Sequence, residues 1–430
     1  MRQHGTGFSS ASRRRRSGLM SLHDKRQRGV VAIIVALSMV VLVGFVGLAL
    51  DLGKLFVTKT ELQNSVDSCA LAAARELTGA NNNQLTLAEA AGITSGTSNN
   101  VLFQDEQIVI NTDSDVTFSD QLNGTYQTKG AVANPLNMKF SRCTAERTGI
   151  ANWFIQVLGI GDQQVNATAV ASLLPGQTTC AIPVGVCKAD IDASIPGDWI
   201  EGAIGPGGDL TGGFKWIDFT PPGGGASELS AALTSSGACS LPAVGSTVGE
   251  GGVISSLSKG WNSRFGIYRN PVVSVPTQTG FAVPDLTGYA YTEVNWPSQF
   301  DAFSDIPSQR AANAAYQGDA LTGLNAEGGG STTQNSAFHL ANGTDRRLGT
   351  VAVIDCPTLD AGAPTAPVES WACVLMLHPI NFNQGGSGTG ATRMFLEYLG
   401  NSDDPSSPCA SSGAVGSATS AGPLVPALVQ

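Results

Sequence analysis

Histidine is scarce in this sequence. Four histidines occur among 430 residues, and two of them, His339 and His378, follow the long apolar segment near the N-terminus. A hydrolase normally holds a base against a nucleophile, and the sequence contains neither a Gly-x-Ser-x-Gly elbow nor a His-Glu-x-x-His helix. None of its glycine clusters is followed by Lys-Ser or Lys-Thr, as a phosphate-binding P-loop requires. We therefore expect no catalytic centre and no cofactor, and we interpret His378, which precedes Pro379 at the end of an apolar strand, as structural.

Closely spaced cysteines are also missing. No Cys-x-x-Cys pair occurs, which argues against zinc knuckles, iron–sulfur clusters and a thioredoxin-type site. Two acidic stretches, 113–117 and 190–194, do not complete a calcium-binding loop, so we expect no metal. The even number of cysteines beyond the apolar segment predicts up to four structural disulfides in an oxidising compartment, and their pairing stays open. These residues are Cys69, Cys143, Cys180, Cys187, Cys239, Cys356, Cys373 and Cys409.

Acidic residues are nearly absent from the first 50 residues, which carry eight Lys or Arg side chains against the single acid Asp24. This segment has a formal charge of +7, which leaves −17 for the rest of a chain whose total is −10. Basic residues before an apolar segment stay in the cytoplasm while the following chain is exported. A basic arm for nucleic acid would leave the apolar segment unexplained. We therefore expect residues 1–29 to be cytoplasmic, and we expect no nucleic-acid partner.

The apolar segment 30–50 contains no charged residue and one polar side chain, Ser38. As a helix it would extend about 32 Å, close to the hydrocarbon thickness of a bilayer. It is longer than the apolar part of a secretory signal, and it lacks a small-residue cleavage site at its end. We therefore predict an uncleaved membrane anchor, which includes Val30, Ile34, Leu37, Val41 and Leu50.

Helical spacing continues beyond the apolar segment. Between residues 51 and 77 apolar side chains recur every three or four residues. They are Leu52, Leu55, Phe56, Leu62, Val66, Cys69, Ala70, Ala73 and Leu77. Gly79 and the three asparagines after it provide a stop. We predict one continuous helix of about 49 residues. Its first half lies in lipid, and its second half, residues 51–79, packs this apolar stripe on an exported body.

The residues along this helix resemble those of a known family. Arg28-Gly29-Val-Val-Ala-Ile opens the apolar segment, and Leu50-Asp51-Leu52-Gly53-Lys54-Leu55-Phe56 closes it. Leu62-Gln63-Asn64-Ser65-Val66-Asp67 and Ala70-Leu-Ala-Ala-Ala-Arg75 follow. This ordered series is similar to the N-terminal domain of TadG-like proteins of the Tad/Flp pilus-assembly systems, over about residues 25–80 of this chain. The motif positions are Gly29, Asp51, Gly53, Gln63, Asn64 and Asp67.

The resemblance implies a single-pass protein of the inner membrane with a periplasmic body, and it implies Tad/Flp pilus machinery proteins as partners. Type IV prepilins are cut after a glycine and carry glutamate at the fifth mature position, where this sequence has Ile34. We therefore expect no pilin-type processing after Gly29. Family members usually begin a few residues before the basic-glycine motif, so Met20 is an alternative start.

Beyond the helix the sequence predicts an α+β fold. A small pilin-like α+β unit covers residues 80–176, with short strands between 101 and 118, a helix at 148–160 and a half-buried strand at 165–173. Pro175-Gly176 marks its end. A β-rich, glycine-rich C-terminal domain covers residues 177–400, with strands at 350–355, 371–378 and 392–399 and a helix at 304–316. Residues 401–430 are rich in Ser, Gly, Ala and Pro and are predicted to form a flexible tail.

Three hypotheses for the function follow. We favour a non-enzymatic, membrane-anchored component whose periplasmic body contacts pilus or secretion machinery through the helix stripe and β-edges. The alternative is an anchored ligand-binding or adhesin domain, in which tryptophans beyond residue 190 stack on sugars or partner surfaces, although buried packing is their more common role. An anchored hydrolase is the third hypothesis.

Overall fold

The computed structural model describes residues 27–204, 210–221, 225–235, 237–250, 257–360, 364–381, 392–417 and 419–430. The predictions for the basic segment, including the alternative start at Met20, lie outside the described residues. So do the glycine clusters at 205–208 and 385–390, and all of the cluster at 223–225 except Gly225.

A single helix, α1, runs from Gln27 to Arg75 over 49 residues, and the prediction of one continuous helix is confirmed. It contains no proline, and its glycines do not interrupt it. The first half is exposed along nearly its whole length, whereas the second half buries one face. Together with the β-rich body this confirms the α+β class.

The first unit packs α1 and a second helix against a small antiparallel sheet. Its core contains the stripe of α1, including Leu62, Val66 and Cys69, and alanines that line one face of the longest strand. These small side chains on both elements let the helix lie close to the sheet. After α1 the unit contains α2 Gln84–Gly96, β1 Asn100–Val101, β2 Glu106–Gln107, β3 Val116–Ser119, β4 Phe140–Ile150 and β5 Gln163–Thr178.

The predicted helix at 148–160 is wrong. Strand β4 continues to Ile150, and only one 3-10 turn, Ile155–Leu158, follows before β5. Gly149 and Gly159 adopt positive φ angles of 69° and 76°, which interrupt regular helix on both sides. Helix α2, in contrast, was not predicted.

The second unit is built on an eight-stranded sheet, so its predicted β-rich character is confirmed. Its elements are β6 Ala181–Cys187, α3 Lys188–Ala193, β7 Trp199–Ile204, β8 Leu210–Gly212, β9 Phe214–Asp218, α4 Gly225–Thr234, β10 Thr247–Glu250, α5 Leu257–Ser263, β11 Ile267–Tyr268, α6 Ile306–Ala311, α7 Asp319–Thr322, β12 Thr332–Thr333, α8 Ser336–Asn342, β13 Leu348–Ile354, α9 Cys356–Asp360, β14 Thr365–Met376 and β15 Thr392–Asn401. The strand order of the sheet is β10-β9-β6-β13-β14-β15-β7-β8. Strand β10 also pairs with β14, and five strands therefore close into a ring.

The three strong strands of this unit lie close to their predicted bounds, as β13, β14 and β15. The helix predicted at 304–316 is shorter. It consists of a 3-10 turn, Ala302–Ser304, and α6, and it ends before Asn313, which has a positive φ of 47°.

The C-terminal segment is a structural part of the first unit rather than the predicted flexible tail. Two further strands, β16 Ala410–Val415 and β17 Leu424–Leu428, pair antiparallel with β5. Backbone hydrogen bonds, which the composition of the segment does not reveal, hold it in place. Because β5 runs through Pro175 and Gly176 to Thr178, the predicted boundary falls inside a strand.

The eight cysteines form four disulfides, Cys69–Cys143, Cys180–Cys239, Cys187–Cys356 and Cys373–Cys409. The first joins α1 to β4. The last joins β14 to the returning C-terminal segment. The pairings thus connect both ends of the chain to the two sheets.

Candidate membrane-proximal site

The first half of α1 is apolar and leaves its side chains uncovered. Across the described residues it is the one helix long and apolar enough to cross a membrane, with a mean hydropathy of 2.9 and 6% of its most apolar window buried. The predicted anchor residues Val30, Ile34, Leu37, Val41 and Leu50 are all exposed. Length and composition therefore make this half a candidate membrane anchor.

Asp51, the first charged residue after the apolar half, binds the body. Its carboxylate accepts hydrogen bonds from three consecutive backbone N–H groups, those of Trp153 (2.7 Å), Phe154 (2.9 Å) and Ile155 (2.7 Å). These residues belong to the connection between β4 and β5, residues 151–162, which we call the junction loop. Asp51 is 1% exposed although its neighbours in the helix face outward.

The hydrogen bonds favour the ionised form of this carboxylate. Burial acts to raise the pKa of Asp51, but the N–H groups of Ile155, Trp153 and Phe154 oppose it, and the pKa lies below its ordinary value. The charged group thus fixes the loop at the point where the apolar half of α1 ends.

Lys54 adds a second contact one turn further along the helix. Its ammonium donates to the carbonyl of Ala151 at 2.9 Å and lies 5.0 Å from the centre of the Trp153 ring. This geometry is that of a cation–π contact. Both charged side chains of this helical turn therefore hold the same loop.

Gly47 permits the loop to contact the apolar half itself. A Cβ atom built on Gly47 would lie 2.6 Å from the Cβ of Phe154, a distance that no real contact shows. Gly44, one turn earlier, has no atom within 4 Å of the same position. The close approach of loop and helix thus requires glycine at 47 and not at 44.

An apolar groove lies between the helix and the loop. It has a volume of about 470 Å³ and is lined by residues of α1 from Val40 to Leu48 together with Phe154, Ile155 and Val157. The pattern that predicts a helix at 148–160 puts Trp153, Phe154 and Val157 on one face. In the structure Trp153 is 51% and Val157 86% exposed. The long alternating strand after this loop, β5, is the sequence signal for the loop. Such a strand requires a hairpin partner before it, which is β4.

The other family-motif residues divide between two faces of α1. Gln63 donates to the carbonyl of Thr168 at 3.2 Å and to Asp67 at 2.7 Å, so it lies against β5. Gly53 and Asn64 are exposed on the opposite side. Gly29 lies in the first turn of α1, and the structure does not describe its surroundings.

The two histidines of the second unit are buried and bond to main-chain atoms. His378 Nε2 accepts from the N–H of Phe395, and Nδ1 donates to the carbonyl of Pro379 at 2.9 Å. Burial lowers its pKa to about 4, so the ring is neutral. His339 Nδ1 lies 2.7 Å from the carbonyl of Asp285, and burial lowers its pKa as well.

The acidic stretches weighed as metal sites make local contacts. Asp113 pairs with Lys129 at 2.8 Å and Asp192 with Lys188 at 2.5 Å. Within the described parts of the chain, no group of three or more His, Cys, Asp or Glu side chains is arranged to hold a metal ion.

Comparison with known proteins finds a family match in the N-terminal segment. Residues 29–76 match the Tad family, described as "Putative Flp pilus-assembly TadE/G-like". The N-terminal segment is therefore a Tad-type domain, and it contains the apolar half of α1 together with Asp51, Lys54 and Gln63. No curated protein and no solved structure matches the chain.

Proposed function

We propose that this chain is a single-pass protein of the inner membrane that serves a Tad/Flp-type pilus-assembly or secretion system without catalysing a reaction. Residues 1–29 are cytoplasmic and the body is periplasmic. The match of residues 29–76 to the Tad family carries the proposal, because those residues contain both the apolar half of α1 and the side chains that bind the body.

Two features support this orientation. The basic residues precede the apolar half, as expected for a cytoplasmic N-terminus. All eight cysteines lie beyond it and are paired in disulfides, which form in oxidising compartments such as the periplasm.

The surface of α1 that is free for a partner is not the apolar helix stripe that the sequence predicts as the contact. The apolar stripe with Leu62, Val66 and Ala73 lies in the core of the first unit and is not accessible. The prediction that Phe56 belongs to this stripe is wrong, because Phe56 is 70% exposed. It lies on the opposite face with Gly53, Thr60 and Asn64, which are exposed at spacings of three and four residues. We assign the contact with pilus machinery proteins to this face, which lies within the family-matched residues.

The competing functions receive less support from the geometry. A catalytic histidine would need a free nitrogen near a nucleophile, whereas His378 uses both nitrogens on main-chain atoms. Of the tryptophans considered for ligand stacking, Trp216, Trp261 and Trp371 are at most 3% exposed and pack in the core. Neither an enzyme nor an adhesin is therefore favoured.

A topology experiment tests the anchor. Alkaline phosphatase fused after residue 80 should be active, and green fluorescent protein fused at the same position should stay dark, because each reports the periplasmic side. The opposite pair of signals would contradict the proposed orientation.

A cross-linking experiment tests the partner face. A photoreactive phenylalanine analogue at position 56 should form a product with another Tad/Flp component in cells, and the same analogue at Val294, which is 62% exposed in the second unit, serves as control. Equal products at both positions, or none at 56, would contradict this assignment. A gene neighbourhood without a secretion ATPase, a prepilin peptidase and a small pilin would also count against the proposed system.

A further inference from the structure

The junction loop is unusually apolar for a connection between two strands. Of residues 151–162, only the last, Asp162, carries a charged side chain. Among them Trp153, Phe154, Val157 and Ile160 are 51%, 44%, 86% and 45% exposed. A concentrated apolar surface of this kind marks a contact with a partner or a membrane.

The loop lies beside the apolar half of α1 rather than beyond its end. Its main chain is held at Asp51, and the Cβ of Phe154 faces Gly47. The groove that it shares with the helix includes Val40 and Val41. At 1.5 Å per residue, Val40 lies about 16 Å along the axis from Asp51. The loop therefore occupies the same depth as the last turns of the segment 30–50.

The edge of the loop nearest Lys54 carries residues that favour a membrane interface. Tryptophan is enriched where the hydrocarbon meets the head groups, and lysine extends its ammonium toward the same layer. Trp153 and Lys54 occupy this edge in contact with each other. The apolar side chains of Phe154 and Val157 lie against the apolar half of α1.

Several polar main-chain groups of the loop are paired within the protein. Asp51 accepts from three N–H groups, and the side-chain amide of Asn152 donates to the carbonyl of Gly161 at 2.7 Å. Lys54 binds the carbonyl of Ala151. Main-chain groups that stay unpaired in hydrocarbon are costly, so these contacts prepare the loop for an apolar environment.

We propose that the junction loop inserts Phe154 and Val157 among the acyl chains of the outer leaflet of the membrane. The phospholipid bilayer is the chosen occupant because the groove is continuous with the lipid-exposed surface of α1. The insertion gives the body a second membrane contact beside the helix and fixes its orientation. It rests on the proposed function, in which residues 30–50 span the bilayer.

Spin labelling of single cysteines in the full chain tests this proposal. The native cysteines are all paired in disulfides, so an introduced cysteine is the labelled one. Nitroxide is placed in Val157→Cys, in Val41→Cys within the anchor and in Val294→Cys on the second unit, all of which are exposed positions. The proteins are reconstituted in vesicles of phosphatidylethanolamine and phosphatidylglycerol, and collisions of each label with oxygen and with a water-soluble nickel chelate are measured.

The three labels separate the possible outcomes. Insertion predicts that the label at 157, like that at 41, collides mainly with oxygen, while the label at 294 collides mainly with the nickel chelate. A label at 157 that behaves like 294 while 41 stays in lipid would refute insertion and leave the anchor intact. A label at 157 shielded from both reagents would mean that a second copy covers the loop, which also refutes insertion. A water-exposed label at 41 would overturn the proposed anchor itself.

Discussion

Gly47 offers the sharpest test of the contact between α1 and the junction loop. In Gly47→Ala the new methyl group lies 2.6 Å from the Cβ and 2.9 Å from the Cγ of Phe154. The Cβ of Phe154 is attached to the main chain, so a rotamer change cannot move it away and the loop has to shift. Gly44→Ala is the matched control, because no atom lies within 4 Å of its new methyl group.

The two substitutions differ in packing but not in helix propensity. Alanine favours an exposed helix over glycine by about 1 kcal/mol at either site, and this contribution cancels in the comparison. Overpacking costs about 1–3 kcal/mol. At about 1.4 kcal/mol per factor of ten, the equilibrium constant for release of the loop should rise about 5- to 150-fold in Gly47→Ala.

Hydrogen exchange of the full chain in lipid nanodiscs measures this release. The N–H groups of Trp153, Phe154 and Ile155 are bonded to Asp51, so a peptide that covers them reports when the loop leaves the helix. Exchange should accelerate in Gly47→Ala by this factor and stay unchanged in Gly44→Ala. Unchanged exchange in Gly47→Ala, or equal acceleration in both variants, would show that Phe154 does not lie against Gly47.

Three further predictions concern single groups in both units. Asp51→Ala should accelerate hydrogen exchange of the same three amides, and Asp51→Asn should accelerate it less because the amide oxygen of Asn still accepts. Because the pKa of Asp51 is lowered, protection of these amides in the wild type should persist at neutral pH and be lost only in acid. Burial raises the pKa of Glu397 from 4.5 to about 7. The folded state therefore keeps a proton that the unfolded state loses above pH 4.5, and the free energy of unfolding falls by about 3 kcal/mol as pH rises to about 7. Glu397→Gln, followed by denaturant unfolding, should equal wild type near pH 4 and exceed its stability at pH 8, and a constant difference would contradict the raised pKa. Replacing Cys69 and Cys143 by serine removes a cross-link over 74 residues, so the denaturation midpoint of the first unit should fall by the equivalent of about 4 kcal/mol, and an unchanged midpoint would refute this role.

The long helix could be predicted because its signals are local. A charge-free apolar segment and a stripe at three- and four-residue spacing are properties of neighbouring residues, and both are read directly from 30–77. The three strongest strands of the second unit follow from the same kind of local pattern. Disulfide pairing is different, because it depends on which distant segments the two sheets bring together.

The junction loop was misread because two structures share one pattern. Ile150, Trp153, Phe154 and Val157 have helical spacing, but Ile150 ends a strand and the next three line a hairpin connection. Apolar side chains at helical spacing indicate a helix where they face a protein core. In this loop they face outward, beside a helix that leaves its own apolar surface exposed, so the environment of the segment decided its conformation.

The contacts between α1 and the body explain how a family match that ends at residue 76 can fix the position of a long, unmatched body. Asp51 binds main-chain N–H groups, Lys54 and Gln63 bind the main-chain carbonyls of Ala151 and Thr168, and Lys59 binds that of Asn166. Every chain supplies such groups whatever its side chains are. A helix that binds main-chain groups of a hairpin and its connecting loop depends on the backbone geometry of the body, so the Tad-type segment can dock a sheet largely independently of the side chains that the sheet carries.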